Sequence, residues 1–232
     1  MDQLVSVIVP IHNGERYLRE TLESILAQTY RPLEVVAVDD GSTDSSGAIV
    51  RSFGSEVKYF SQVQQGHPAA RNTGVRVSEG AFVAFLDHDD LWTPNKLELQ
   101  IECFRMEADC DLVFGHICNF FSPDMTADAR ARVSVPLHPL PGLLQGSMLA
   151  LRESFLRVGL FLEGQGTGDF LDWYGRAMAL RLKCQMLAET VVHRRIHYAN
   201  YMRTHQQERH HYVRAVKQLL DRQRAASANP CS

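Results

Sequence analysis

Three carboxylates stand within four positions of this sequence, directly after a short apolar run. The run is Ala81 to Leu86, and the segment that follows it is Asp87-His88-Asp89-Asp90. Carboxylates crowded so closely repel one another and cost stability unless a positive group binds them. A hard divalent cation such as Mg²⁺ or Mn²⁺ prefers oxygen ligands and can keep phosphate oxygens in its shell. The segment therefore indicates a cation site, with a solvated acidic turn that caps a helix starting near Thr93-Pro94 as the alternative.

A second apolar run ends in acids in the same way. Leu33 to Val38 leads directly into Asp39-Asp40, and a helical pattern separates it from an earlier apolar run, Leu4 to Val9. Two parallel strands joined by a helix have their carboxyl ends on the same edge of a sheet. Ligands of open α/β sheets bind outside this edge, so we expect the acids of both runs to face one cleft.

The elements that must position these acids follow from the apolar spacing. Strand and helix patterns alternate four times over the first ninety residues, which predicts the α/β class: a doubly wound, mixed, mostly parallel sheet flanked by helices. Asn13 is expected to cap the first helix, and Arg31-Pro32 to end it. Asp44 or Thr43 is expected to cap the second.

The second half of the chain is less regular. Ser122 to Gly142 contains four prolines and few periodic apolar positions, which predicts a long loop. The other expected elements are helices from Thr93-Pro94, over Arg152 to Val158 and from Asp169 to about Leu180, and strands over Leu112 to Phe121, Leu143 to Leu151 and Cys184 to Ala188. A basic, amphipathic final helix is expected over about 203–228, its apolar side packed on the core.

Composition indicates one globular domain over residues 1–232, divided into a nucleotide-binding half (about 1–100), a second half (about 101–202) and the final helix. The chain has 232 residues, 45% of them hydrophobic, a net charge of -3 and a pI near 6.4. This balance gives no reason to expect nucleic acid as a partner. No run reaches the ~18 to 20 apolar residues of a membrane span, and the N-terminus lacks a secretory pattern, so we expect a cytoplasmic protein with at most peripheral membrane contact. Five widely spaced cysteines indicate neither a disulfide framework nor a zinc knuckle.

Four segments in this order resemble one family of enzymes. They are Val5-Ser6-Val7-Ile8-Val9-Pro10 with Asn13-Gly14, Val38-Asp39-Asp40-Gly41-Ser42-Thr43-Asp44, Ala70-Arg71-Asn72-Thr73-Gly74 and Phe85-Leu86-Asp87-His88-Asp89-Asp90. Together they closely resemble the family 2 glycosyltransferases, which have the Rossmann-like A-type fold. The resemblance implies a nucleotide-sugar donor, a divalent metal (Mn²⁺ or Mg²⁺) and transfer with inversion of the anomeric centre in a single displacement.

The resemblance also implies roles for individual residues. Asp39 would accept a hydrogen bond from the ring N–H of the donor's base, which favours uracil or thymine and makes a UDP-sugar the expected donor, since cytosine or adenine would leave the acid unpaired. Asp87 would contact the ribose, and His88 is expected to be a neighbour that points away from the metal. The nucleotide-sugar-binding residues are then Pro10, Asn13, Glu15, Asp39, Asp40, Arg71, Asp87 and His88.

Metal ligands and a base complete the expected site. Asp89 would bind the metal, and Arg195-Ile196-His197 resembles a later Arg-x-His motif of the family that brings His197 to the metal or diphosphate. An imidazole ligand favours manganese modestly. The base is a carboxylate at the start of a helix, for which Asp169 and Asp172 both qualify, with Asp172 preferred. The family's own base position is occupied by Phe170, and either acid could instead be a helix cap.

Two questions stay open at this point. The acceptor, whether a saccharide, a lipid-linked sugar, a peptide or a small metabolite, is not legible in the sequence. Because the segment around Asp169 departs from the family pattern, a non-catalytic sugar-nucleotide-binding protein is the alternative function. A nucleotidyltransferase and a dinucleotide-dependent oxidoreductase are disfavoured, since both need a glycine-rich loop where this chain has Ile11 to Arg16.

Overall fold

A single nine-stranded sheet runs through the described part of the chain. The computed structural model describes residues 3–164 and 168–200. Along the sheet the strands follow the order β3-β2-β1-β4-β8-β6-β9-β5, and β7 pairs with β6. The strands are β1 (Val5–Ile11), β2 (Leu33–Asp40), β3 (Val57–Gln62), β4 (Phe82–Phe85), β5 (Leu91–Trp92), β6 (Leu112–Phe121), β7 (Leu140–Pro141), β8 (Leu149–Leu151) and β9 (Cys184–Ile196).

Helices cover both faces of this sheet. Apolar side chains of α1 and α4 belong to one hydrophobic core, and those of α3, α6 and α7 belong to a second. The expected fold class, a mixed and mostly parallel sheet flanked by helices, is confirmed. The helices are α1 (Leu18–Leu26), α2 (Ser46–Arg51), α3 (His67–Val77), α4 (Lys96–Met106), α5 (Ala127–Ala131), α6 (Arg152–Val158) and α7 (Asp169–Ala179).

The strand register brings the acid-bearing ends to one edge. Strand β1 is buried along its whole length and pairs in parallel with β2 on one side and β4 on the other. Ile11 at the end of β1 lies opposite Asp39, while Phe85 at the end of β4 lies opposite Ile8. The acids after both strands therefore meet at the carboxyl edge, as the βαβ pattern predicts.

Some expected elements differ in the structure. Asn13 does not cap α1, which begins at Leu18; its backbone is left-handed (φ 51°) and its side chain instead accepts a hydrogen bond from the Thr43 N–H. Asp44 does accept one from the Ser46 N–H at the start of α2. The apolar run Leu143 to Leu151 forms a strand only over its last three residues, because a 3-10 turn occupies Gln145–Ser147.

The expected long loop between Ser122 and Gly142 contains the short helix α5 and the two residues of β7. The final helix expected over about 203–228 lies outside the described residues. Among the helices of residues 3–164 and 168–200, none has the length and apolar character needed to cross a membrane.

Candidate functional site

A buried arginine joins two carboxylates at the carboxyl edge. Arg71 projects from α3 and donates from Nη2 to Asp87 Oδ1 and from Nη1 to Asp169 Oδ2, both at 2.8 Å. Burial alone would raise the pKa of Asp87, but the charge of Arg71 outweighs it and the pKa falls to about 2. Burial also raises the pKa of Asp169; Arg71 opposes this and Asp87 adds to it, so the pKa stays above its usual value. The two acids therefore differ in proton affinity although they share one cation.

A second pair lies beside the first. Nε2 of His197 is 2.9 Å from Oδ2 of Asp89, which precedes it by 108 residues. Because Nδ1 of His197 accepts a hydrogen bond from the Ala199 N–H, the ring proton lies on Nε2 and is donated to Asp89. The Tyr17 ring packs against the imidazole, with centroids 4.8 Å apart. The structure thus brings together the two residues expected at the metal.

Arg195 holds the backbone around Asp89 in place. Its Nε donates to the Asp89 carbonyl at 2.9 Å, its N–H to Asp90 Oδ1 at 2.8 Å and its Nη2 to Glu20 at 2.7 Å. Burial raises the pKa of Asp90 well above its usual value, and the neighbouring charges of Asp89 and Asp87 raise it further. The sequence analysis used Arg195 only as part of a motif and missed this anchoring role.

The two acids at the end of β2 have different partners. Asp39 accepts hydrogen bonds from the Ser42 N–H and the Tyr59 hydroxyl, one on each carboxylate oxygen, both at 2.8 Å. Asp40 instead accepts from the N–H groups of Gln65 and Gly66, at 2.9 and 2.7 Å. Asp40 therefore fixes the turn that leads into α3, the helix that carries Arg71.

Of the remaining residues expected at the nucleotide, Pro10 lies near the end of β1, Asn13 and Glu15 lie in the loop after it, and His88 follows β4. Glu15 accepts a hydrogen bond from the Ser45 N–H at 3.0 Å, which ties this loop to the one after β2. His88 lies 3.3 Å from the Pro10 carbonyl oxygen through Nδ1, and its ring packs so closely on Gly14 that a Cβ there would lie 2.5 Å from Cδ2. His88 thus contacts the β1 loop rather than Asp89.

His67, at the start of α3, is a further residue that the sequence analysis missed. Its ring stacks beside that of His88, with centroids 6.2 Å apart. Burial, together with the nearby charge of Arg71, lowers the pKa of His67 to about 4. A neutral imidazole therefore stands next to the Arg71 and Asp87 pair at physiological pH.

Asp172 and Asp169, the two candidates for the base, have different partners. Oδ2 of Asp172 accepts from Nε of Arg176 at 2.9 Å, and the other nitrogens of Arg176 donate to the carbonyls of Val158 and Leu160. Asp172 thus links α7 to the chain after α6. Asp169, one turn earlier, accepts from Arg71, which also binds Asp87.

Two of the side chains expected at a metal, those of Asp89 and His197, lie together in the described part of the chain. In the regions 3–164 and 168–200 no group of three or more His, Cys, Asp or Glu side chains is arranged to hold an ion. The rings of His193 and Phe120 meet edge to face, with centroids 6.5 Å apart. Asp89 and His197 fit a cation whose remaining ligands are phosphate oxygens and water, as is common for Mg²⁺ and Mn²⁺.

Comparison with known proteins shows the family of this chain. The model of glycosyl transferase family 2 matches residues 6–139. An uncharacterized glycosyltransferase of Rickettsia typhi is 32% identical over 205 residues, which cover 82% of this chain and 64% of that protein. Glycosyltransferase GlyG of Streptococcus pneumoniae is 39% identical over 128 residues, or 53% of this chain and 42% of GlyG. The chain thus spans less than two thirds of these curated relatives.

Solved structures share the fold. S. aureus TarS 1–349 in complex with UDP-GlcNAc has a TM-score of 0.68 and 22% identity, covering 86% of this chain and 60% of that one. The mannosyltransferase PcManGT from Pyrobaculum calidifontis, in complex with GDP-Man and Mn²⁺, has a TM-score of 0.69 and 18% identity. The match covers 100% of this chain and 77% of that chain. At these identities the likeness concerns the fold alone.

Proposed function

We propose that this chain, which belongs to glycosyl transferase family 2, transfers a sugar from a nucleotide-sugar donor to an acceptor with inversion of the anomeric centre. The observation that carries the proposal is the convergence of Asp87, Arg71 and Asp169 beside the Asp89 and His197 pair. Anionic and cationic groups stand side by side there. Such a site suits a substrate that combines a diphosphate, a sugar and an attacking hydroxyl.

Asp89 and His197 would hold the metal, Mn²⁺ or Mg²⁺. The carboxylate oxygen and Nε2 of the ring are 2.9 Å apart, and both could hold the ion if the ring proton lay on Nδ1, because a neutral imidazole binds a metal through its unprotonated nitrogen; Nδ1 would then no longer accept from the Ala199 N–H. The imidazole favours manganese over magnesium. When bound, the metal would neutralise the charge that develops on the leaving diphosphate.

Asp169 is the proposed base. Its buried carboxylate has a raised pKa, which suits a group that must accept a proton from the acceptor hydroxyl as the sugar is transferred. Arg71 would hold that carboxylate and Asp87 in a fixed relation to the donor. This reading replaces the preference for Asp172, whose carboxylate is engaged by Arg176.

A UDP-sugar is the proposed donor. Each oxygen of Asp39 accepts one hydrogen bond within the protein, and a carboxylate oxygen can accept a second, so the acid can still receive an imide N–H. Uracil supplies such a group, while adenine and cytosine do not. The complex of TarS with UDP-GlcNAc supports this choice, whereas the complex of PcManGT with GDP-Man shows a different nucleotide on the same fold.

A non-catalytic sugar-nucleotide-binding protein is the second candidate function. Phe170 stands where the family pattern has its base, and it is buried with its ring edge-on to Phe114. A core phenylalanine cannot accept a proton. If Asp169 does not take over that task, the chain would bind a donor without transferring its sugar.

A donor panel tests the proposal without a known acceptor. UDP-, GDP- and dTDP-sugars are incubated with Mn²⁺ or Mg²⁺, and released nucleoside diphosphate is measured for the parent and for Asp89→Ala. Slow transfer to water from one donor, lost in Asp89→Ala and on chelation, is the expected result. Binding of donor with metal but no release, even with acceptor extracts, would favour the binding protein; absence of binding would overturn the assignment.

A further inference from the structure

Three consecutive carbonyl groups are each held by a different buried side chain. The carbonyl of Gly146 accepts from Trp92 Nε1 at 2.9 Å, that of Ser147 from Gln100 Nε2 at 2.7 Å, and that of Met148 from Lys96 Nζ at 3.4 Å. The three donors lie on β5 and the first turns of α4, immediately after Asp87 to Asp90. We call Trp92, Lys96 and Gln100 the carbonyl clamp.

The members of the clamp also bind one another. Nζ of Lys96 donates to Gln100 Oε1 at 2.6 Å and lies 4.2 Å from the centroid of the Trp92 ring. Gln100 Oε1 and the Met148 carbonyl are acceptors for the N–H bonds of the Lys96 amine, and the Trp92 ring lies beside it. Lys96 is fully buried and, within residues 3–164 and 168–200, pairs with no carboxylate; burial lowers its pKa well below the usual value. Burying a lysine amine is costly unless it is hydrogen-bonded, and the clamp supplies those bonds.

The clamped segment begins with a residue that reaches the site. Gln145 opens the 3-10 turn Gln145–Ser147 and donates from Nε2 to Asp87 Oδ2 at 3.2 Å. Arg71 holds the other oxygen of the same carboxylate. Asp87 is therefore fixed from both sides, by a cation on one oxygen and by an amide on the other.

We propose that Gln145 is a positioning residue for Asp87, and that the carbonyl clamp holds Gln145 in place for this purpose. The inference rests on the proposed function, in which Asp87 contacts the ribose of the donor. Two hydrogen bonds fix the plane of the carboxylate, so the ribose meets an acceptor that is already oriented. Preorganisation of this kind raises affinity by reducing what must be ordered on binding.

Equilibrium binding of UDP in the presence of Mn²⁺ tests the proposal by titration calorimetry. Gln145→Ala is expected to weaken binding about ten-fold, since the Asp87 carboxylate is then held through one oxygen only and must be ordered when the ribose binds. Gln185→Ala, a change at an exposed glutamine of β9, is the matched control and should bind as the parent does. Equal affinity of the parent and Gln145→Ala would overturn the proposal.

A double-mutant cycle tests the clamp. Lys96→Met should weaken UDP binding in the same direction, and the double variant with Gln145→Ala should bind no more weakly than Gln145→Ala alone, because both changes act through one contact. Trp92→Phe, which keeps the ring but loses the donor to Gly146, serves if Lys96→Met does not fold. Additive effects, or lower thermal stability with unchanged UDP affinity, would reduce the clamp to a structural role and overturn this part.

The two proposals fail in distinguishable ways. A folded parent that binds neither UDP nor GDP with Mn²⁺ or Mg²⁺ contradicts the proposed function itself. A parent that binds UDP while Gln145→Ala and every clamp variant bind it equally well contradicts only the positioning role.

Discussion

Replacing Asp169 and Asp172 separately by asparagine should separate activity from stability. Asparagine keeps the shape of the side chain and one oxygen acceptor but cannot take a proton. In Asp169→Asn the amide oxygen can still accept from Arg71, whose charge remains balanced by Asp87. In Asp172→Asn the charge that faces Arg176 is lost, while the bonds from Arg176 to Val158 and Leu160 remain.

The two substitutions should change different quantities, the catalytic rate in Asp169→Asn and the free energy of unfolding in Asp172→Asn. Loss of a general base lowers the rate by about 10² to 10⁴-fold, so Asp169→Asn should lose roughly 3 to 5 kcal/mol of transition-state stabilisation. Its free energy of unfolding should change by only about 1 kcal/mol, because one hydrogen bond is weakened rather than removed. For Asp172→Asn we expect turnover within about three-fold of the parent and a loss of about 1 to 2 kcal/mol in stability, the scale of one charge-assisted bond.

The assay is release of UDP from the donor that the panel identifies, followed as a function of pH, with urea unfolding in parallel. A base must be deprotonated, so turnover of the parent should fall as the pH drops through the raised pKa of Asp169. Asp172→Asn should keep this acid limb and Asp169→Asn should lack it. A folded Asp172→Asn without activity beside an active Asp169→Asn would refute the assignment, and two active variants would place the base elsewhere.

Two further predictions concern stability. Burial and the Arg71 charge lower the pKa of His67 to about 4 in the folded protein, against about 6.5 in the unfolded chain. Between these two pH values the unfolded chain binds more protons, so the free energy of unfolding should fall by about 2 kcal/mol from pH 7 to pH 5. Unfolding measured as a function of pH should lack this component in His67→Gln. Gly74→Ala would place a Cβ 2.3 Å from Cγ2 of the buried Ile8, so denaturant unfolding should show a net loss of about 1 to 2 kcal/mol, and an unchanged midpoint would contradict the close packing of α3 on β1.

Much of the fold could be predicted from the sequence because the patterns that specify its strands are local. Strands β1, β2 and β4 are apolar runs with clear ends, and parallel pairing then brings the acids of β2 and those after β4 to one edge without further information. Where an apolar run contains a turn, as in Leu143 to Leu151, composition cannot show it. The partners that stabilise that turn, such as Gln100, come from elsewhere in the chain.

Residue types alone predicted the candidate residues of the site but could not decide between two acids on the same helix. Asp169 and Asp172 are three positions apart on one helix, so both face the same general direction, and the sequence could not decide between them. The choice depends on Arg176, which donates hydrogen bonds to the carbonyls of Val158 and Leu160 and also to the Asp172 carboxylate. The burial of Lys96 could not be predicted for a different reason, since a lysine near the start of a helix is normally exposed.

Strand β9 has a consequence for how the protein is made. It lies between β6 and β5 in the sheet although it is the last described strand to be synthesised, and it supplies Arg195 and leads into His197. A growing chain of about 180 residues already contains β1 to β8 and the acids at 87 to 90. Those acids then lack the arginine that anchors them and the imidazole that pairs with Asp89, because chains emerge from the N-terminus onward. The pair of Asp89 and His197, which we propose holds the metal, can therefore form only after residue 197 has been synthesised, and a chain cut before residue 195 would keep most of the sheet but lack this pair.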